Sequence, residues 1–335
     1  MQRELLKMVT NKKNSSATNT IQKRSLFQRI KHHLNELIVT APSFLWMVIF
    51  FLIPTILIFA LSFRSTAPGG GIGDTWTFHT WKTISNPSYP EIVWRTIWLS
   101  VVATFICIVI SVPCAFAIAR ASRKIRHFLV GLIILPFWTS FLVRVFAWKT
   151  LLHPEGLISN LFISLGFIQP TEQLLYNSGA VLVVMVYTYL PFAILPLYAA
   201  AEKFDFSLIE AALDLGSTPL RAFVQIFVPG IKAGIYSATL MVLIPALGSY
   251  VVPDIVGGTD SEMVGSKIYQ RAIPDRNLPH ASALSALLFL GVLVPPFIAW
   301  CFLRRRNINI TETEAVEAAI TEDNKRSKTK GGVRK

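Results

Sequence analysis

Charge is scarce in this chain. Asp, Glu, Lys and Arg make up only 15% of the 335 residues while 53% are hydrophobic, whereas soluble domains carry about a quarter charged residues. That balance excludes most water-soluble single-domain enzymes, because so much apolar surface has to face lipid or other helices. Cysteine is scarcer still: Cys107, Cys114 and Cys301 all fall in apolar runs, without the spacing of a zinc site or a redox pair. They read as packing residues, and no metal or cofactor is expected. The Gly-x4-Gly-Lys-Ser/Thr loop that cradles nucleotide phosphates is missing too. No catalytic residue is assigned, and energy for any transport has to come from another chain or an ion gradient.

Long apolar runs are what the chain does have. A hydrocarbon core about 30 Å thick takes roughly 20 apolar residues of helix to cross, and six segments meet that length: 45 to 63, 96 to 119, 128 to 148, 179 to 200, 233 to 253 and 281 to 303. The expected fold class is therefore an all-α integral membrane protein. Each of these spans contains proline, Pro54, Pro113, Pro136, Pro191 with Pro196, Pro245, and Pro295 with Pro296. Taken together they suit a kinked, moving pathway.

Lys and Arg number 32 against 19 Asp and Glu. In a soluble protein that excess would suggest nucleic acid, but here 24 of the 32 lie in the N-terminal segment, the second-to-third loop, the fourth-to-fifth loop and the C-terminal tail. Basic residues collect on the cytoplasmic side, so both termini are expected there and nucleic acid is not a partner. Residues 1–43 form a cytoplasmic segment in which Leu26, Phe27, Ile30, Leu34 and Leu37 recur at helical spacing opposite Arg29, Lys31, His32 and His33, the pattern of an amphipathic interfacial helix. Residues 44–306 form the membrane domain, and 307–335 read as a disordered cytoplasmic tail. Arg304, Arg305 and Arg306 end the last span against lipid headgroups. Residues 156 to 166 are too short to cross and are expected to form an interfacial helix.

The fourth-to-fifth loop carries a specific signal. Ser207 and Glu210 have the spacing of a capping box, Gly216 can end that helix in the left-handed conformation, and Ser217 or Thr218 can cap a second helix with Pro219 at its first position. Leu220, Phe223, Val224 and Phe227 then give one apolar face, stopped by Pro229-Gly230. A helical hairpin of this kind can plug into a groove on a soluble partner.

At these residues the chain resembles the membrane subunits of ATP-binding-cassette (ABC) importers. Glu210, Ala211, Ala212, Gly216, Ile226 and Pro229 match the family's hallmark at its spacings, with Val228 in place of Leu. The resemblance implies a six-span type I (MetI-like) importer domain in the bacterial inner membrane, with the hairpin as a cytoplasmic coupling helix. It also implies three partners: a cytoplasmic ATPase dimer, a second homologous membrane chain and an external solute-binding protein. It extends over about 27–306 and, within the family, points to the polyamine (spermidine and putrescine) permease subunits through the moderately specific stretches 135 to 148, 247 to 258 and 276 to 284.

A polyamine implies carboxylates and aromatic faces along the pathway. Asp254, four residues after Tyr250 at the outer end of the fifth span, is the leading candidate, with Trp138, Tyr187 and Tyr189 behind it. Arg144, near the outer end of the third span, reads as a snorkelling or paired structural residue. The same importer class for an opine, an amino acid or iron stays open, as does a stand-alone secondary transporter. The latter expects ionisable residues deep in several spans, and apart from Arg144 the span interiors lack them.

Overall fold

A computed structural model describes residues 40–84, 88–166, 169 and 173–294. The predicted amphipathic helix, Arg304 to Arg306, Cys301, Pro295, Pro296 and the C-terminal tail lie outside the described residues. The chain divides into two compact units between Ala60 and Leu61. The first contains nearly all of α1 (Thr40–Leu61), an apolar helix of 22 residues whose large side chains, among them Trp46, Phe50 and Phe51, are exposed.

The second unit opens with a two-stranded antiparallel hairpin, β1 (Arg64–Thr66) and β2 (Ile72–Trp76). Its turn is made by Gly69, Gly70 and Gly71, at φ of 92°, 99° and 92°, values that only glycine adopts without steric cost. The chain continues through α2 (His79–Ile84), α3 (Ser88–Arg120), α4 (Arg123–Ile134), a 3-10 turn at Leu135–Trp138, α5 (Phe141–Leu152) and α6 (Leu157–Ser164). After α7 (Ser178–Glu202) come the short α8 (Ser207–Asp214), α9 (Pro219–Ala222) and α10 (Val228–Gly230), then α11 (Lys232–Leu247), α12 (Val251–Val256), α13 (Val264–Ala272) and α14 (Leu278–Val294).

The core lies where α3, α7 and α11 pack together. Small residues let these backbones approach, as membrane helices require in the absence of a hydrophobic drive between them. Ala103, Cys107 and Ala115 of α3, Val184 and Ala193 of α7, and Ala238 and Ala246 of α11 are all buried. Gly234 shows how tight this contact is, since a Cβ there would meet the Ala200 Cβ at 2.4 Å. Cys107 is a buried packing residue as expected.

The spans are less uniform than their hydropathy predicts. Among the described residues three helices, α1, α3 and α7, are long and apolar enough to cross a membrane, and up to five crossings result if each bent pair is one span. The expected third span is broken, with Arg123–Trp138 and Phe141–Ser164 meeting at 90°. Pro136 sits in the 3-10 turn, and its carbonyl accepts from both the N–H and the hydroxyl of Thr139, at 3.2 Å and 2.8 Å. Ser140 is then extended, and α5 restarts in a new direction. The expected fifth span is also corrected: α11 ends at Leu247 and Gly248–Tyr250 unwind before α12, so Tyr250 and Asp254 lie beyond a break and not on the span. At its other end, Pro219–Gly230 and Lys232–Leu247 meet at 72°. Helix α14 supplies the described part of the expected sixth span. A short helix, α6, occupies the stretch 156 to 166 where an interfacial helix was expected.

Candidate functional site

The hairpin between α7 and α11 starts on a different cap from the predicted one. Asp205 Oδ1 accepts from the Ser207 N–H at 3.0 Å, and the Ser207–Glu210 capping box does not form. A carboxylate two residues upstream is a stronger acceptor than a hydroxyl, and it places Ser207 inside the first turn. Bonds from the Ser207 hydroxyl and N–H hold the Asp205 carboxyl below its ordinary range.

The turn itself follows the sequence. Gly216 has φ +85°, its N–H donates to the Leu213 carbonyl at 2.9 Å, and the Ser217 N–H donates to the Ala212 carbonyl at 3.0 Å. This pair of bonds is the Schellman arrangement that satisfies the last carbonyls of a helix. Of the two predicted caps for the second helix, Thr218 is used, its hydroxyl accepting from the Arg221 N–H at 3.4 Å with Pro219 next in line.

The single apolar face predicted for the second helix is split. Residues Phe223–Phe227 form a π-helical turn, which adds a residue to the helical turn and rotates everything after it. Phe227 is consequently buried and Ile226 packs against the core, while Leu220 is 74% exposed and Val224 also faces out. The motif residues divide accordingly. Ala212 and Ile226 face inward, whereas Glu210, Ala211, Gly216 and Pro229 are exposed. At the tip Leu215 is 88% exposed.

Five phenylalanines seat the hairpin on α3. The Phe116 ring lies edge-on to Phe227 at 4.9 Å and to Phe223 at 5.2 Å, Phe204 is edge-on to Phe227 at 5.3 Å, and Phe206 contacts Phe204 at 5.4 Å. Aromatic pairs of this geometry add to plain burial. Sequence reasoning missed this joint. The spacing of Phe204, Phe206, Phe223 and Phe227 offered a local hint, but nothing in sequence connects them to Phe116.

Of the pathway candidates, Tyr250 and Asp254 are brought together, the Asp254 N–H donating to the Tyr250 carbonyl at 3.1 Å. Asp254 is exposed on a cleft of about 370 Å³ that also contains Glu262, Ser266, Lys267 and Gln270. Lys267 Nζ donates to both Glu262 oxygens at 3.1 Å and to Gln270 at 3.3 Å. The Tyr250 ring stacks on Tyr269 at 5.4 Å. Gly265 permits this approach, because a Cβ there would lie 2.5 Å from the Ser249 carbonyl oxygen. Of the candidates only Asp254 lines that cleft, and Tyr250, Trp138 and Tyr187 do not. Trp138 is 86% exposed at the end of the 3-10 turn, and Tyr187 lies edge-on to Trp148 at 5.3 Å. Tyr189 is buried and donates to the Pro245 carbonyl at 3.2 Å, capping the last turn of α11. Arg144 is half-buried, and among the described residues no carboxylate pairs with it.

Comparison with known proteins agrees with this geometry. The family model described as "Binding-protein-dependent transport system inner membrane component" matches residues 108–308. The spermidine/putrescine transport system permease protein PotB of Haemophilus influenzae is 36% identical over 248 residues, covering 74% of this chain and 87% of that protein. PotB of Escherichia coli K12 is 31% identical over 255 residues, covering 76% and 93%. Among solved structures, a bacterial ABC transporter that imports the acidic polysaccharide alginate superposes with a TM-score of 0.62 at 18% identity, covering 84% of this chain and 98% of that one. The MetNI methionine ABC transporter superposes at 0.50 and 18%, covering 66% and 98%. With the hairpin motif, the bent apolar helices and the matched family model in agreement, the chain belongs to the binding-protein-dependent inner membrane components, the multi-pass permease subunits of ABC importers.

Proposed function

We propose that this permease subunit forms half of the translocation pathway for a polyamine, in an assembly with a cytoplasmic ATPase dimer, a second homologous membrane chain and an external solute-binding protein. Six spans within 44–306 and cytoplasmic termini complete the reading. The observation that carries it is the division of the hairpin. Its tip presents Leu215 and Leu220 outward, while Ala212, Ile226 and Phe227 fix its base to the core. A surface knob with a rigid base can accept force from a moving ATPase and pass it through Phe116 to α3. The chain's own part is mechanical and selective, and hydrolysis belongs to the ATPase.

Polyamine as cargo is supported by the spermidine/putrescine transport named for the PotB relatives and by the exposed Asp254 carboxylate, one helical turn after Tyr250, whose ring stacks on Tyr269. A carboxylate and aromatic faces are the groups that bind alkylammonium. Asp254 and Tyr250 are the proposed pathway contacts, with Trp138 and Tyr187 as secondary positions. Putrescine uptake into proteoliposomes containing the assembled complex and its binding protein tests this. Asp254→Asn is expected to lower uptake at equal complex content, and uptake equal to native removes Asp254 from the pathway.

A further inference from the structure

A second cavity, of about 640 Å³, lies among the β1–β2 hairpin, α2, the end of α13 and the start of α14, and transport leaves it without a role. Its wall is polar and contains no carboxylate among the described residues. Along one side, Thr75, Thr77 and His79 line it, while the residues between them, Trp76 and Phe78, are 66% and 70% exposed. Extended backbone sends alternate side chains to opposite sides, so this strip has a polar face toward the cavity and an aromatic face toward the surroundings. Trp94 and Trp98 near the start of α3 are exposed as well. Exposed tryptophans on an apolar helix mark the headgroup level of a membrane.

The opposite wall is made of hydrogen-bond donors. Arg271 Nη1 is held by Asp275 at 2.9 Å, Nη2 donates to the Tyr89 hydroxyl at 3.3 Å, and Nε is buried without a partner. Arginine only donates, so the Tyr89 oxygen accepts there, and in the Nδ1–H tautomer of His280 the Tyr89 hydroxyl donates to Nε2, 2.8 Å away. Asn277 Oδ1 accepts from the Thr66 hydroxyl at 2.9 Å and from the His280 N–H at 3.1 Å, which leaves the Asn277 amide hydrogens available. Arg271 and Asn277 on this wall therefore have donors beyond the bonds named, and the carboxylate beside them, Asp275, is paired with Arg271. A buried unpaired guanidinium N–H is costly unless an acceptor reaches it.

We propose that this cavity binds the phosphate of a phospholipid headgroup, with Arg271 and Asn277 donating to its oxygens and Trp76 and Phe78 lying against the lipid's apolar part. Arginine pairs well with phosphate, and the aromatic face beside the cavity favours a lipid over a free ion. The site shares no lining residue with the Asp254 cleft, although Gln270 of that cleft and Arg271 of this one are neighbours on α13.

The test is native mass spectrometry of the detergent-purified, assembled complex titrated with short-chain phosphatidylglycerol. Asn277→Asp keeps the oxygen that accepts from Thr66 and His280 but replaces donors with a negative charge. It is expected to weaken the tightest lipid adduct at least about tenfold, the scale of losing a charged hydrogen bond. Arg271→Gln is expected to act in the same direction. Native-like lipid binding by Asn277→Asp in an intact complex overturns the proposal. So does equal retention of the matching diacylglycerol, which would show apolar contact alone, or displacement of the lipid by inorganic phosphate at equal concentration, which would show a free-anion site.

Discussion

The Ser217 N–H reaches back to the Ala212 carbonyl at 3.0 Å, tying the exposed tip of the coupling hairpin to its buried side. Ala212 is packed into the core, and the bond spans Gly216 in its left-handed conformation. The tip is thereby held at a fixed angle to the helices that, in the proposed function, a moving ATPase drives.

Gly216→Ala meets no neighbour, since nothing lies within 4 Å of the added Cβ. The cost is backbone strain alone, about 1–2 kcal/mol for a left-handed alanine. Hydrogen exchange is expected to speed up at the Gly216 and Ser217 amides, with the membrane core unchanged. Gly216→Pro also deletes the N–H that bonds Leu213 and is expected to abolish coupling of ATP hydrolysis to solute while the complex stays assembled.

Leu215→Asp changes a side chain that contributes almost nothing to the core, and surface changes of this kind stay within about 0.5 kcal/mol of neutral. Thermal unfolding of the isolated chain in detergent is expected to match native. Co-purification of the ATPase is expected to fall sharply, because the variant puts a charge into an apolar contact.

Phe227→Ala works in the opposite way. Removing a fully buried ring from the joint with Phe116 and Phe204 is expected to cost about 3–5 kcal/mol. Thermal unfolding in detergent reads that loss, and Phe227→Leu is expected to recover much of it.

These contrasts follow the line between what sequence reveals and what it does not. The turn at Gly216, Thr218 and Pro219 was legible because its causes are local, namely a left-handed glycine, a hydroxyl cap and a proline at the first helical position. The positions of α1 and α7 were legible because hydropathy marks them. Hydropathy says nothing of direction, however, so the third span was expected to run on past Trp138 and the fifth past Gly248, and Tyr250 and Asp254 were placed on a span they do not share, whereas the stop at Pro229-Gly230 was legible from its residues. A fixed period of 3.6 residues hid the π turn at Phe223–Phe227. Asp205 was overlooked because the Ser207–Glu210 spacing already supplied a cap. Phe116 and the Lys267–Glu262 pair beside Asp254 depend on tertiary approach, which a single sequence does not carry.

Acid separates Asp205 from the rejected capping box. Its folded pKa is depressed by bonds from Ser207, so its contribution is present above the unfolded carboxylate value of about 3.9 and is lost as pH falls through the lower folded value. Protection of the Ser207 amide, corrected for intrinsic exchange, is expected to drop in that acid window. In Asp205→Asn the drop is expected to vanish, and Ser207→Ala, which loses the hydroxyl bond but keeps the N–H bond, is expected to show it at a pH closer to the unfolded carboxylate value.

The most direct measurement of the central claim is ATP hydrolysis by the reconstituted complex, this chain with its ATPase, its second membrane chain and the solute-binding protein, with and without putrescine. The account predicts stimulation by putrescine in the native complex and none with Gly216→Pro at equal assembly. Stimulation that survives Gly216→Pro would contradict coupling through the hairpin, and a native complex that putrescine leaves unstimulated would contradict the polyamine assignment.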